Sequence, residues 1–140
     1  MGVGTGQPRS AVAGEAEASR ILLVEDNPHV AETLAELLEL EGFRVAVVEE
    51  AEAGLACART EPPHLVLCDL TLPGTLEGYG FARACRADPD QRELRLVAVS
   101  GHCRAEDRRR AIEAGFDDLI AKPIELASIH AAFRRIRDTA

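Results

Sequence analysis

Tryptophan is absent from this chain, and four phenylalanines and one tyrosine are its only aromatic residues. Its core must therefore be built from aliphatic side chains, which 140 residues are enough to bury. No apolar run approaches the roughly 18 to 20 residues that a membrane-spanning helix requires, which argues against a membrane protein of that kind. Basic charge is also short: the net charge is −8, where a general nucleic-acid binder needs surplus Lys and Arg to neutralise phosphates. Cys57, Cys68, Cys85 and Cys103 form no CxxC pair and have no histidine at ligand spacing. That favours packed, reduced thiols in a cytoplasmic protein over a disulfide framework or a zinc site. Lysine is nearly missing too: Lys122 is the only one, in a chain that otherwise uses arginine.

What is present begins after an unpatterned start. Residues 1–19, "MGVGTGQPRSAVAGEAEAS", lack a basic region followed by an apolar one, so they do not read as a secretory signal. Their Gly, Ala, Ser and Glu content predicts a flexible leader or linker, leaving residues 20–140 as the folded domain. From there the chain alternates. Apolar runs of strand length occur at 20–24, 43–48, 64–69, 94–100 and 118–122. Each is nearly continuous, as in parallel strands covered on both faces.

Helical stretches separate these runs. In the first, Asn27 is a good N-cap, Pro28 suits the first helical position and Gly42 ends the run. Its expected inner stripe is Val30, Leu34, Leu37, Leu38 and Glu41. The last helix carries the clearest stripe, Leu126, Ile129, Phe133 and Ile136. Stretches 51–59, 80–87 and 105–115 are short and Ala-rich or polar. Five βα units predict an α/β fold with a doubly wound five-stranded parallel sheet and right-handed crossovers. Ligands of such sheets bind beyond the carboxyl ends of the strands.

The residues at those ends are Glu25 and Asp26, then Asp69, Ser100 and Lys122. Adjacent acids such as Glu25 and Asp26 also suit the positive end of a helix dipole, but four strands deliver this set to one edge. Three crowded carboxylates repel, and a hard divalent cation with oxygen ligands is the ordinary remedy. Mg²⁺ (or Mn²⁺) fits, because it accepts one or two carboxylates and keeps positions open for phosphate oxygens. A lysine point charge and a serine hydroxyl beside it complete an electrostatic clamp for a transferring phosphoryl group. Asp69 is then the candidate nucleophile, since a carboxylate can form an acyl phosphate.

The fragments "LLVEDN", "LVLCDLTLPG", "VAVSG" and "AKP", in that order on five βα units, resemble the receiver domain of two-component response regulators. The resemblance covers about residues 20 to 137. It implies a flavodoxin-like (βα)5 fold with strand order 2-1-3-4-5, an order that general fold rules also give for the chemotaxis receiver. It further implies Asp69 as phosphoacceptor, Asp26 as a direct metal ligand with Glu25 beside it, and the Thr71 carbonyl as a further ligand. Ser100 and Lys122 match the residues that contact the phosphoryl group. Pro123 matches a proline usually preceded by a cis bond, and Pro73 and Gly74 match the turn closing the acceptor loop. Thr71 and His102, two residues past Asp69 and Ser100, match positions that flank the path of attacking water and tune phosphoryl lifetime.

The implied partners are a histidine kinase or phosphotransfer domain as donor, and a protein target on the face formed by the fourth helix, fifth strand and fifth helix. Direct nucleic-acid binding and membrane binding are not expected. The basic clusters, "RRR" at 108–110 and the arginines of the last helix, fall on that face; they can dock an acidic partner or pair with nearby acids such as Glu106 and Asp107. His29, His64 and His130 read as solvated or structural. Two departures stand out. Leu119 occupies the switch position, where the family carries an aromatic or histidine, so a conformational signal is expected to be smaller or routed elsewhere. "PGTLEGYGF" is one residue longer than the commoner loop, which leaves the approach of Gly78 and Tyr79 to the site open.

A domain that modifies only itself is expected, rather than a turnover enzyme: a stand-alone regulator or the receiver of a hybrid histidine kinase, with no output domain following. Two other classes are distinguishable. A Mg-dependent aspartyl phosphohydrolase usually has a second acid two residues after its nucleophile, where this chain has Thr71. An unphosphorylated receiver-like interaction module is expected to lack a clamp residue, and none is missing.

Overall fold

The computed structural model describes residues 19–72 and 77–139. Most of the expected leader lies outside these residues, as do Pro73 and Gly74. The strands are β1 (Arg20–Val24), β2 (Arg44–Val48), β3 (Leu65–Asp69), β4 (Leu96–Ser100) and β5 (Asp118–Ala121). The helices are α1 (Pro28–Leu40), α2 (Ala51–Thr60), α3 (Gly78–Ala87), α4 (Ala105–Ala114) and α5 (Leu126–Thr139). All neighbouring strands are parallel, in the order β2-β1-β3-β4-β5.

The continuous apolar runs have a simple cause, because alternate side chains enter two different cores. Leu22, Val24, Val66, Cys68, Leu96 and Ala98 face α2, α3 and α4. Ile21, Leu23, Leu67, Val97 and Val99 face α1 and α5. Cys68 thus packs as a small apolar group on the face opposite Asp69, and burial pushes its thiol well above the usual range. Strand β2 lies at the edge of the sheet, as the implied strand order has it, but is largely exposed, with Val47 on the surface, where its apolar run predicted cover on both faces. The valines of a partly covered edge strand look the same in sequence as those of a central strand.

Helix α1 starts as predicted, with the Asn27 side chain accepting the His29 and Val30 N–H groups at 3.0 and 3.2 Å. It ends at Leu40, and Gly42, at φ 101°, turns the chain into β2. Its inner stripe is rotated from the expected one. The buried residues are Ala31, Leu34 and Leu38, whereas Val30 and Leu37 are 38% and 39% exposed. Ala31 lets the helix sit close to the sheet, and a stripe read from large apolar residues gives alanine no weight. Glu41 caps the helix and lies 3.4 Å from His130 on α5. In α5, Ile129 and Ala132 are buried and Phe133 stacks on Phe43 at 5.3 Å. The side chain of Ile136 is outside the described set.

Two ionic junctions, one of them on a buried acid, lock the helices to the sheet. Arg86 donates to the carbonyls of Gly115, Arg92 and Leu94 at 2.7–2.8 Å and to Asp117 at 3.1 Å, tying the end of α3 to the turns before β4 and β5. Asp118, at the start of β5, is 4% exposed and accepts from Arg108 of α4 at 3.0 Å and from Arg135 Nε of α5 at 2.8 Å. Burial raises the Asp118 carboxyl, but the bonds from Arg135, Arg108 and the Leu119 N–H outweigh it and hold the group below its ordinary range. The expectation that these arginines pair with acids therefore holds, although the principal acid is Asp118. Arg109 does make the surface pairs, with Glu106 and Glu113.

Replacing Asp118 with Asn removes a charge-assisted junction whose arginines are half exposed, so a loss of about 2 kcal/mol is expected. Because the folded carboxyl is depressed, its contribution is complete above about pH 4 and disappears as pH falls through the lower folded value. Urea melts of wild type and Asp118→Asn should differ most near neutrality and converge in acid. A gap that stays constant down to pH 2 would contradict this account.

Candidate functional site

The four strand ends place the predicted residues together. Leu70 N–H bonds the Val99 carbonyl at 3.1 Å, Glu25 N–H bonds the Val48 carbonyl at 3.0 Å, and Lys122 N–H bonds the Ser100 carbonyl at 2.9 Å. These bonds carry the β-sheet register one residue past β1, β3 and β5 and so fix the main chain beside the predicted residues. One carboxylate oxygen from each of Glu25, Asp26 and Asp69 lies within 4.8 Å of the other two. Glu25 and Asp69 are buried, and Asp26 is exposed.

Two of the three carboxylates, Glu25 and Asp69, are oriented by a local hydrogen bond. Glu25 Oε2 accepts the Asn27 N–H at 3.0 Å, so the residue that caps α1 also pins the acid before it. Asp69 Oδ1 accepts the Thr71 N–H at 2.9 Å. The lone lysine supplies the opposing charge, with Lys122 Nζ 2.9 Å from Asp69 Oδ2 and 3.6 Å from Glu25 Oε1. Burial, seconded by the Asp69 charge, raises the Glu25 carboxyl above its ordinary value against the Asn27 N–H and Lys122. Burial opposes the Lys122 charge, but the hydrogen bond and charge of Asp69, with Glu25, prevail and raise it.

Among the described residues no ion pair reaches Asp26. Three carboxylates against one ammonium leave about two negative charges, and an all-oxygen donor set of that charge fits a hard divalent cation. Glu25, Asp26 and Asp69 are the residues present to hold it.

The remaining predicted residues border this cluster. Ser100 Oγ accepts the His102 N–H at 3.0 Å, which leaves its own proton to donate elsewhere. Thr71 and His102 are both exposed at the mouth. The Lys122–Pro123 peptide is cis, as the resemblance implied. Leu119 is 3% exposed and packed in the core with Phe116, Ala98 and Ala111.

Two features escaped the sequence reading. An open apolar groove of about 570 Å³ runs beside Lys122, lined by His29, Val30, Leu34, Leu37, Pro123 and Ile124 with Thr33. Its signal was the apolar surplus of α1, which was assigned wholly to the core. The second is Gly78: a Cβ there would stand 2.6 Å from the Asp69 carbonyl oxygen. Its signal is faint, since a glycine after a loop reads as a helix start.

Comparison with known proteins agrees with this geometry. Residues 21–134 match the model of the response regulator receiver domain. The chain is 36% identical over 123 residues to the DNA-binding response regulator MtrA of Mycolicibacterium smegmatis, covering 85% of this chain and 52% of that protein. It is 36% identical over 110 residues to the sensor histidine kinase GacS of Pseudomonas protegens, covering 76% of this chain and 12% of the kinase. The chain thus spans about half of one relative and a small part of the other. Among solved structures, the receiver domain of a sensor histidine kinase from Pseudomonas aeruginosa, which holds a magnesium ion in its active-site cleft, superposes with a TM-score of 0.76. It shares 30% identity, covering 84% of this chain and 96% of that one. The receiver domain of a histidine kinase from Syntrophus aciditrophicus gives 0.76 at 28% identity, covering 88% and 92%. This chain belongs to the response regulator receiver domain family, the signalling domains of two-component systems.

Proposed function

We propose that this domain takes a phosphoryl group from a phosphohistidine of a histidine kinase or phosphotransfer domain onto Asp69. The observation that carries this reading is the Lys122 ammonium 2.9 Å from Asp69, at the edge of three clustered carboxylates. In the transfer an Asp69 oxygen attacks phosphorus, the donor's N–P bond breaks, and the imidazole leaves with the electron pair. Lys122 stays beside the acceptor and offsets charge on the incoming phosphoryl oxygens. Ser100, whose oxygen is occupied by the His102 N–H, offers its hydroxyl proton to another of them. The Thr71 N–H holds Asp69 in a fixed rotamer for the attack. Mg²⁺ (or Mn²⁺), held by Glu25, Asp26, Asp69 and the Thr71 carbonyl, supplies Lewis-acid neutralisation of phosphoryl charge when bound.

The domain acts on itself and passes the change to a protein target through the α4–β5–α5 face. Its net charge of −8 supports a protein target over direct nucleic-acid binding. All four cysteines are free, which suits the reducing cytoplasm. Residues 20–140 form the receiver, and residues 1–19 act as a leader or linker to it.

Incubation with acetyl phosphate and Mg²⁺ should place one alkali-labile phosphate on the protein, absent in Asp69→Ala and abolished in Asp26→Ala with the fold intact. Undiminished labelling of Asp69→Ala would remove the assignment.

Thr71 and His102 set the lifetime of the acyl phosphate, since each donates its N–H to a clamp residue while standing exposed at the mouth. Exchanging the two residues should change the dephosphorylation rate several-fold, about 1 kcal/mol in barrier; an unchanged rate would reject the role.

The groove beside Lys122 gives a protein donor an apolar foothold next to the acceptor. Leu37→Glu should therefore slow transfer from a phosphohistidine protein at least about ten-fold while leaving acetyl phosphate labelling unaltered. Equal slowing with both donors would place Leu37 in stability instead.

A further inference from the structure

The first turn of α3 stands directly on the backbone of the acceptor. A Cβ at Gly78 would meet the Asp69 carbonyl oxygen at 2.6 Å, Leu70 Cα at 2.6 Å and the Leu70 carbonyl oxygen at 3.0 Å. These are main-chain atoms held in the ladder by the Leu70 N–H bond to Val99, so they cannot rotate aside as a side chain can. The next residue, Tyr79, packs against the core shared by α2, α3 and α4, and Arg110 of α4 lies over its ring with Cζ 4.7 Å from the centroid. The Glu77 carboxylate accepts the Tyr79 N–H at 3.2 Å and so caps the same turn. A continuous set of contacts therefore runs from α4 through Tyr79 and Gly78 to the peptide between Asp69 and Leu70.

We propose that Gly78, Tyr79 and Arg110 are positioning residues for Asp69: the glycine seats α3 on the acceptor backbone, and the cation–π contact keeps it seated. This rests on Asp69 being the phosphoacceptor. The ladder fixes Asp69 and the Leu70 N–H, and leaves the segment from the Leu70 carbonyl to Thr71 to be fixed by α3. Thr71 in turn holds the Asp69 carboxylate through its N–H at 2.9 Å. A displacement there moves the nucleophile relative to Lys122, and misplacement of about 1 Å costs a transfer reaction roughly 10²-fold.

The test compares Gly78→Ala, Arg110→Ala, Tyr79→Leu and Tyr79→Phe by two readouts. One is hydrogen exchange at the Thr71 N–H in metal-free protein; the other is the labelling rate with acetyl phosphate and Mg²⁺. Gly78→Ala should exchange faster at Thr71 and label at least about ten-fold more slowly. Arg110→Ala and Tyr79→Leu should each slow labelling by about three-fold, the scale of one exposed cation–π contact, while Tyr79→Phe keeps the ring and the wild-type rate. Arg109→Ala, which loses only surface pairs with Glu106 and Glu113, serves as the unchanged control. If Gly78→Ala fails to fold, Arg110→Ala and the Tyr79 pair decide. Wild-type exchange and labelling in Arg110→Ala and Tyr79→Leu overturn the proposal, as does a Tyr79→Phe variant as impaired as Tyr79→Leu. A wild-type protein that takes up no phosphoryl group defeats the phosphoacceptor reading separately, and Thr71 exchange still judges the positioning.

Discussion

The mutual repulsion of Glu25, Asp26 and Asp69 is the constraint to which the rest of the molecule answers. At separations of 4.8 Å or less, each pair of charges costs about 3 kcal/mol at an effective dielectric near 20. Flexible loops would relieve that cost by moving the groups apart. Here each acid instead follows a buried strand by at most two residues, and two of the three are pinned by a backbone N–H, Glu25 by Asn27 and Asp69 by Thr71. Lys122 offsets the two buried acids and leaves Asp26, the exposed one, facing solvent. The site is thereby held with negative charge to spare, the condition that favours an added hard cation.

The fold supplies rigidity at the points where this charge is concentrated. Strands β1 and β3 are paired and covered on both faces, so the main chain before Glu25 and Asp69 cannot yield to the repulsion. The Lys122 N–H is bonded to the Ser100 carbonyl, which ties the ammonium-bearing residue to the strand beside the acceptor strand. At the other end of β5, Asp118 and its two arginines secure the strand to α4 and α5. The same strand therefore carries a depressed carboxyl at its start and a raised ammonium just past its end. Both are charges stabilised by partners from other elements, and both resist sliding of β5 along the sheet.

Much of this was legible in the residues. The five apolar runs located the strands to within two residues, and reading only their last positions collected Glu25, Asp26, Asp69, Ser100 and Lys122. The strand order came from resemblance, because parallel pairing leaves no local trace of which strands are neighbours. What escaped depended on three-dimensional proximity. The exposure of β2, the burial of Ala31 in place of Val30, and the convergence of Arg108 and Arg135 on Asp118 are all set by packing between distant segments. Gly78 is the sharpest case, since the sequence shows a glycine and only the structure shows the Asp69 backbone against it.

Leu119 raises the question of how a change at Asp69 reaches the α4–β5–α5 face. A leucine 3% exposed inside the α2–α4 core has neither the polarity to follow a phosphoryl group nor room to leave its rotamer. Helix α4, however, touches the acceptor region without it. Its N-terminal side follows the Ser100–His102 turn, Arg110 covers Tyr79 next to Gly78, and Arg108 bonds both Asp118 and the Leu119 carbonyl at 3.0 and 3.2 Å. On the proposed reading a ligand at Asp69 can bias α4 only through groups whose contacts differ between the two states. Among the groups that meet Asp69 or its phosphoryl group, Ser100 and the first turn of α3 are the ones that lead to α4. On that reading, displacement of α4 as a unit, with Arg108 carrying it to β5, would take the place of the swing of a single side chain.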